Sequence, residues 1–174
     1  MSNLNKTLSN LTKLHKENGI LLDTNVLLLY IFALFQPSKI GSKRLSKYVK
    51  ADGEMIIKFV NRFNRVLTTP HILAETSNLA RQISKDNHGD ELAQKLYPLF
   101  CNSQQDEFLH LNINVTSIES NLFGKLGLTD SCIVKITQDN KLLLTDDLDL
   151  YVAAISNSRD VINFTHMREV AGII

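Results

Sequence analysis

Acidic residues lie at the ends of apolar runs at four separate places in this chain. They are Asp23, Glu75, Asp130, and Asp147 with Asp149. A carboxylate beside a buried strand costs desolvation free energy unless hydrogen bonds or opposite charges compensate it. Several carboxylates that converge predict a site for a divalent cation, because hard cations such as Mg2+ bind oxygen ligands.

Each of these acidic residues also has an ordinary structural interpretation. Asp23 and Asp130 could cap helices, which is a frequent role of Asp after a strand. Glu75 could be a solvated residue in the first turn of a helix, and Asp147 with Asp149 could form an acidic turn. The joint pattern favours a site, since all four places lie at strand-to-helix junctions or on opening helical turns.

The apolar runs alternate with helical patterns, which predicts an α/β fold. Short strands are expected at 20–22, 66–68, 141–145 and 161–164. Helices are expected at 2–18, from about 26 to before Pro37, around 55–63, from Pro70 through Ile83, at 90–109 with an interruption near Pro98, and at 117–125, 130–137 and 151–156. Such strands imply a parallel sheet covered on both faces, with ligands bound beyond the carboxyl ends of the strands. Asp23 and Asp147 follow two of those ends.

The composition fits a single globular domain and sets limits on its partners. The 174 residues are 44% hydrophobic and 21% charged, and the net charge of +1 gives no global attraction for nucleic acid. Two cysteines are too few for a disulfide framework, so a reducing compartment, the cytoplasm, is expected. Residues 1–16 lack the apolar core of a secretion signal. The histidines and cysteines show no zinc-like spacing, and a glycine-rich phosphate loop is absent from the sequence.

The ordered set of acidic motifs resembles the PIN-domain family of metal-dependent nucleases over residues 20–164. The matching segments are Ile20-Leu21-Leu22-Asp23-Thr24-Asn25-Val26, Thr69-Pro70 followed by Glu75, Gly127-Leu128-Thr129-Asp130-Ser131, and Leu144-Thr145-Asp146-Asp147-Leu148-Asp149-Leu150. Leu150 departs from the aromatic residue that is common at the end of the last motif.

The resemblance implies a three-layer α/β/α sandwich around a mostly parallel sheet. It also implies hydrolysis of RNA phosphodiester bonds with Mg2+ or Mn2+ as cofactor. By position, the catalytic and metal-binding residues would be Asp23, Glu75, Asp130 and Asp147, with Asp149 as an additional metal helper. Supporting hydrogen bonds would come from Thr24, Asn25 and Thr145, and Asp146 would be a surface residue.

Two regions lie outside the family's minimal form. Residues 1–18 are expected to be a helical extension, which leaves 19–174 as the PIN-like nuclease domain. Residues 38–53 are polar and rich in lysine, so an insertion or flexible loop is expected there. Lys43, Arg44 and Lys47 in this stretch are candidates for contacts to the RNA backbone. An ordinary solvated surface is the alternative interpretation of the same charges.

Several functional alternatives stay open at this point. The family includes toxins of toxin–antitoxin pairs, so an antitoxin or other protein partner and a homodimer are allowed. A catalytically silent PIN module would bind RNA or protein without cutting it, and a structural subunit of a larger complex is a further alternative. A haloacid-dehalogenase-like phosphatase would need a second Asp where Asn25 stands, and a convincing lysine near the end of the chain.

Overall fold

Five parallel strands form one central sheet in the computed structural model, which describes residues 3–84, 89–101, 108–113, 118–138 and 140–174. The strands are β1 (Ile20–Leu22), β2 (Val66–Thr68), β3 (Phe108–His110), β4 (Leu142–Thr145) and β5 (Val161–Asn163). Their order across the sheet is β3-β2-β1-β4-β5, and every neighbouring pair is parallel. The predicted α/β fold with a central parallel sheet is confirmed.

Helices connect and flank the strands. They are α1 (Asn3–His15), α2 (Thr24–Phe35), α3 (Lys50–Val60), α4 (Pro70–Ile83), α5 (Gly89–Cys101), α6 (Ser120–Ile136), α7 (Leu148–Ser156) and α8 (Phe164–Val170). From β1 the chain builds outward to β2 and β3, and then returns to β4 and β5 on the other side. Right-handed crossovers in opposite directions place the helices on opposite faces of a sheet. The contacts agree, because α2 packs with α3 and α4, whereas α6 packs with α7.

The centre of the fold is the pairing of β1 with helix α2. All three residues of β1 are fully buried, and nine of the twelve residues of α2 are buried as well. Gly19 begins this unit with a φ of 91°, and a Cβ at this position would lie 2.7 Å from the carbonyl oxygen of Arg65. Glycine therefore allows β1 to start close against the chain that enters β2. The strand ends at Asp23 and delivers this residue to the edge of the sheet.

The structure corrects the expectation of a flexible loop at residues 38–53. Two single-turn 3-10 helices, Pro37–Lys39 and Lys43–Leu45, lead into α3, and the side chains of Leu45 and Tyr48 are each only 1% exposed. The apolar residues scattered among the lysines anchor the stretch to the core, so its charged side chains lie on an ordered surface.

One further expectation differs from the structure. The predicted helix at 90–109 ends as α5 at Cys101, runs through Pro98 without a break, and is followed by β3. Residues 102–107 of that prediction, and the predicted helix start at 117, lie outside the described residues. The expectation of two helices around 117–125 and 130–137 is confirmed, because α6 consists of two helical parts separated at Gly127, where φ is 77° and ψ is −176°. No helix in the described ranges is long and apolar enough to cross a membrane.

Candidate active site

Two neighbouring strands bring Asp23 and Asp147 to the same edge of the sheet. Asp23 follows β1, and Asp147 lies two residues beyond the end of β4, with Leu22 paired to Leu144 across the two strands. The backbone N–H of Asp23 donates a hydrogen bond to the carbonyl oxygen of Leu144 at 3.1 Å. The carboxyl ends of parallel strands meet at one edge, so these two acidic residues lie close together.

Asp23 is the most buried of the acidic residues predicted to form the site. The residue as a whole is only 3% exposed. Oδ1 accepts a hydrogen bond from the N–H of Val26 at 2.7 Å and caps α2. Oδ2 accepts hydrogen bonds from the N–H of Asp146 at 3.2 Å and from the hydroxyl of Thr145. The helix-cap interpretation is therefore correct for this residue. Its other oxygen, Oδ2, connects Asp23 to Thr145 and Asp146 at the end of β4.

Thr145 joins Asp23 to Asp147. Its hydroxyl donates to the carboxylate of Asp23, and the same oxygen accepts a hydrogen bond from the N–H of Asp147 at 3.0 Å. Asp147 in turn caps α7, because its Oδ1 accepts from the N–H of Leu150 at 2.9 Å. A single hydroxyl thus fixes the relative positions of two acidic residues that follow different strands.

The environment of Asp23 favours the neutral form of its carboxyl. Burial, and after it the nearby negative charge of Asp146, raise the pKa of Asp23 to about 7. The hydrogen bonds from Thr145, Val26 and Asp146 act against this shift, since they stabilise the carboxylate. Ionisation of Asp23 therefore costs free energy in the folded protein, and a nearby cation would remove this cost because it would stabilise the carboxylate.

Helix α4 brings Glu75 to the same region. Glu75 is exposed, and its Oε2 accepts a hydrogen bond at 3.1 Å from the hydroxyl of Thr24, the residue after Asp23. This contact places a third predicted acid beside the end of β1.

Asp130 completes the group from α6, in the helical part that follows the break at Gly127. Burial is the largest cause that raises the pKa of Asp130 to about 6, followed by the negative charges of Asp147 and Glu75. Because the effect of one charge on another falls with distance, the carboxyl of Asp130 lies near those of Asp147 and Glu75. The structure therefore brings all four predicted core acids towards one edge of the sheet.

Asp146 was expected at the surface, and the structure contradicts this. Its side chain is only 3% exposed, and its Oδ2 lies 2.6 Å from the ammonium of Lys47 and accepts a hydrogen bond from the hydroxyl of Tyr48. Its Oδ1 is buried and has no hydrogen-bond partner among the described residues. Sequence reasoning missed both Asp146 and Tyr48. The available signals were the position of Asp146 directly after a buried strand and the lone aromatic residue within a basic stretch.

The remaining predicted residues lie around this group with less contact. Asp149 is exposed on the first turn of α7, and Asn25 is half-buried as the second residue of α2. Their metal-helping and supporting roles stay predictions.

The three basic candidates have different surroundings. The ammonium of Lys43 donates to the carbonyl oxygens of Ile83 at 2.8 Å and of Gln82 at 3.4 Å, at the end of α4. Such a cation complements the negative end of a helix dipole. Arg44 is exposed, and Lys47 lies at the acidic group through its contact with Asp146. Among these three residues, Lys47 is the one placed at the acidic edge by a described ion pair, the contact with Asp146.

The residues at this edge suit a divalent cation by their chemistry. The donors are carboxylate oxygens, which Mg2+ and Mn2+ accept, and one of them, Oδ1 of Asp146, is buried without a hydrogen-bond partner among the described residues. In the same described ranges, no three His, Cys, Asp or Glu side chains are grouped closely enough to hold a metal ion as they stand. Binding a cation would therefore require these side chains to come closer together.

Comparison of the chain with protein-family models, with curated proteins and with solved structures gave no match.

Proposed function

We propose that this protein is a Mg2+- or Mn2+-dependent ribonuclease that hydrolyses RNA phosphodiester bonds beyond the ends of β1 and β4. The observation that carries the proposal is the Thr145 hydroxyl, which binds the carboxylate of Asp23 and the backbone of Asp147 at once. Helix capping by each acid alone would not require this link. The proposal is also supported by Asp130, whose pKa is raised by burial first and then by the charges of Asp147 and Glu75.

The residues of the chain have distinct tasks in this proposal. Asp23, Glu75, Asp130 and Asp147 would hold the cation, with Asp149 as a helper. When bound, the cation would lower the pKa of a coordinated water and neutralise charge on the phosphate. Thr145 and the N–H of Val26 hold the Asp23 carboxylate in one orientation. Thr24 restrains the otherwise exposed Glu75, so that its carboxylate stays near the end of β1.

The electrostatics give a reason for the cation. Burial first, and neighbouring carboxylates second, raise the pKa of Asp23 to about 7 and that of Asp130 to about 6, so ionisation of these carboxyls near neutral pH costs free energy. An anionic phosphodiester would add further repulsion. Cation binding removes the repulsion for the protein and the substrate together, and the acids alone would repel RNA.

A silent RNA-binding PIN module is the second candidate. It is favoured by one observation, namely that the described side chains are not grouped around a single point as metal ligands. An antitoxin, another protein partner and a homodimer stay predictions from the family resemblance.

The test is a cleavage assay with substrates of three classes. Single-stranded RNA, structured RNA and a generic phosphomonoester are incubated with the protein in Mg2+, in Mn2+ or in EDTA. We expect cleavage of RNA in either metal and none in EDTA. RNA binding without cleavage would favour the silent module, and hydrolysis of only the phosphomonoester would favour a phosphatase.

The control for this assay is Glu54→Gln. Glu54 is an exposed carboxylate on α3 that lines a cleft with Leu8 of α1 and Ile173, and the residues described as lining this cleft include none of the predicted site residues. This variant removes one negative charge from the protein, as Asp23→Asn does, so a general effect of charge would appear in both. We expect cleavage by Glu54→Gln to equal that of the wild type.

A further inference from the structure

A buried ion pair fixes the chain segment 47–49 next to the acidic site. Arg168 of α8 donates from Nε to Oδ1 of Asp52 at 2.8 Å and from Nη2 to the carbonyl oxygen of Lys47 at 3.0 Å. The other oxygen of Asp52 accepts the N–H of Val49 at 2.8 Å. Both charged side chains are buried, so the pair holds the backbone around Lys47 and Tyr48 in one conformation.

Tyr48 aligns this segment with the acidic edge. Its ring packs edge-on against Phe164 with centroids 6.2 Å apart, and the guanidinium of Arg168 lies over it at 5.7 Å. Its hydroxyl binds Asp146, whose backbone N–H binds Asp23. Tyr48 is almost fully buried, so the packing of its ring sets the position of the hydroxyl that contacts Asp146.

Lys47 is held differently from Tyr48. Its ammonium lies 2.6 Å from Oδ2 of Asp146, while its side chain is 50% exposed. Arg168 therefore holds the backbone at Lys47 through the carbonyl oxygen, whereas the side chain of Lys47 remains open to solvent. The side chain of Lys47 is half exposed, but that of Asp146 is buried, so if Lys47 exchanged Asp146 for another anion, the Asp146 carboxylate would depend on its hydrogen bond from Tyr48.

On the basis of the ribonuclease function proposed above, we propose that Lys47 binds the RNA phosphate at this site. It would exchange the carboxylate of Asp146 for a phosphate oxygen when the substrate arrives. Asp146 keeps the Tyr48 hydroxyl as a partner after the exchange. Lys43, only four residues earlier, is directed to the carbonyl oxygens at the end of α4 instead.

The first test measures RNA affinity without cleavage. Binding of a fluorescently labelled single-stranded RNA is followed by anisotropy in EDTA and in Ca2+, at several salt concentrations. We expect Lys47→Gln to raise Kd about tenfold and to reduce the slope of log Kd against log salt by about 0.7 to 1, as loss of one phosphate contact does. Lys47→Arg should restore most of the affinity, because it retains the charge.

Lys13→Gln is the matched control. Lys13 is exposed on α1, which ends at His15, and the ring of His15 lies 2.8 Å from Asp160, the residue before β5. Lys13 therefore lies towards the amino ends of the strands, opposite the acidic edge, and its loss should leave Kd and the salt slope unchanged. An equal effect of Lys13→Gln and Lys47→Gln would overturn the proposal.

A double-mutant cycle tests the exchange of partners. Asp146→Asn should tighten RNA binding, because Lys47 no longer has to leave a carboxylate. This gain should shrink at least threefold when Lys47 is already Gln, since the two residues are then uncoupled. Equal gains in both backgrounds would contradict the exchange.

The cleavage assay distinguishes this inference from the proposed function. If the wild type cleaves RNA and Lys47→Gln matches it in Kd, salt slope and kcat/KM, the role of Lys47 is wrong and the ribonuclease function stands. If the wild type neither binds nor cleaves RNA with any cation, the proposed function fails and this inference fails with it.

Discussion

The hydroxyl of Thr145 at the end of β4 donates a hydrogen bond to the buried carboxylate of Asp23 at the end of β1. The two residues are 122 positions apart in sequence and meet because β1 and β4 are neighbours in the sheet. The same hydroxyl oxygen accepts the N–H of Asp147. Thr145 therefore connects the first and last acidic motifs of the chain.

Replacement of Thr145 tests this connection. We expect Thr145→Val to lower the rate of RNA cleavage about 10- to 100-fold, as loss of a residue that orients a metal ligand does. The physical reason is that Asp23 loses a donor that stabilises its charged form, and the N–H of Asp147 loses its acceptor. Thr145→Ser keeps the hydroxyl and should retain most of the rate in single-turnover assays. Equal loss in both variants would contradict this role of the hydroxyl, because Thr145→Ser keeps the hydroxyl and removes only the γ-methyl group.

The raised pKa of Asp23 predicts how folding stability depends on pH. The carboxyl has a pKa of about 7 in the folded protein and an ordinary value of 3.8 when unfolded. The folded state binds the proton more tightly, so the free energy of unfolding falls as pH rises from about 3.8 through about 7. Asp130 contributes in the same direction, since its pKa is raised to about 6.

Asp23→Asn isolates this effect in the metal-free protein. Asn can still cap α2, and it has no charge to bury. We expect the stability of the variant relative to wild type to be more favourable at pH 8 than at pH 4 by roughly 1–4 kcal/mol. Urea unfolding at both pH values, with Glu54→Gln as the control for net charge, measures the difference. A difference that does not change with pH would show that burial of the Asp23 charge costs nothing.

Cation binding should stabilise the folded protein. Because a bound divalent ion offsets the repulsion among Asp23, Asp130 and their neighbours, we expect Mg2+ or Mn2+ to raise Tm by several degrees when it is well above its Kd. EDTA should reverse the shift, and Asp23→Asn should reduce it. Differential scanning calorimetry at pH 8 is the measurement. An equal shift in wild type and variant would assign the bound ion to another part of the protein.

The buried pair of Asp52 and Arg168 should show strong coupling in stability. Either Asp52→Asn or Arg168→Met breaks the pair, and the arginine replacement leaves a buried carboxylate without its counter-ion. We expect Arg168→Met to cost about 3–5 kcal/mol. The double variant should cost clearly less than the sum of the two single variants, by about 1–3 kcal/mol in urea unfolding. Additive losses would mean that the pair does not act as a unit.

The strands of the central sheet could be predicted from the sequence because each is a short run of buried aliphatic residues. β3 is the exception, since Phe108–His110 is an edge strand in which Leu109 and His110 are exposed, and it follows a helical pattern. Its identity depends on pairing with β2, which is a tertiary contact. The ordered packing of residues 38–53 was hidden in the same way, because Tyr48 is buried by contact with the distant residues Phe164 and Arg168.

The sequence predicts the positions of those candidate site residues that come directly after a strand. Asp23 and Asp147 meet because parallel strands end at one edge. The partners of Asp146 could not be predicted, since Lys47 and Tyr48 reach it across 98 or more positions of sequence through a segment without periodic pattern. The local sequence pattern predicts which residues follow the end of a strand. It does not predict which side chains from distant parts of the chain contact those residues.

The most direct test of the proposed site is single-turnover cleavage of RNA by wild type, Asp23→Asn, Asp147→Asn and the double variant in saturating Mg2+ or Mn2+. We expect each single variant to lose activity by about 10³-fold and the double variant to be scarcely worse, because residues that act as one unit are not additive. All four proteins should be inactive in EDTA. Undiminished cleavage by Asp23→Asn, or wild-type activity that persists in EDTA, would contradict a metal-dependent site at the ends of β1 and β4.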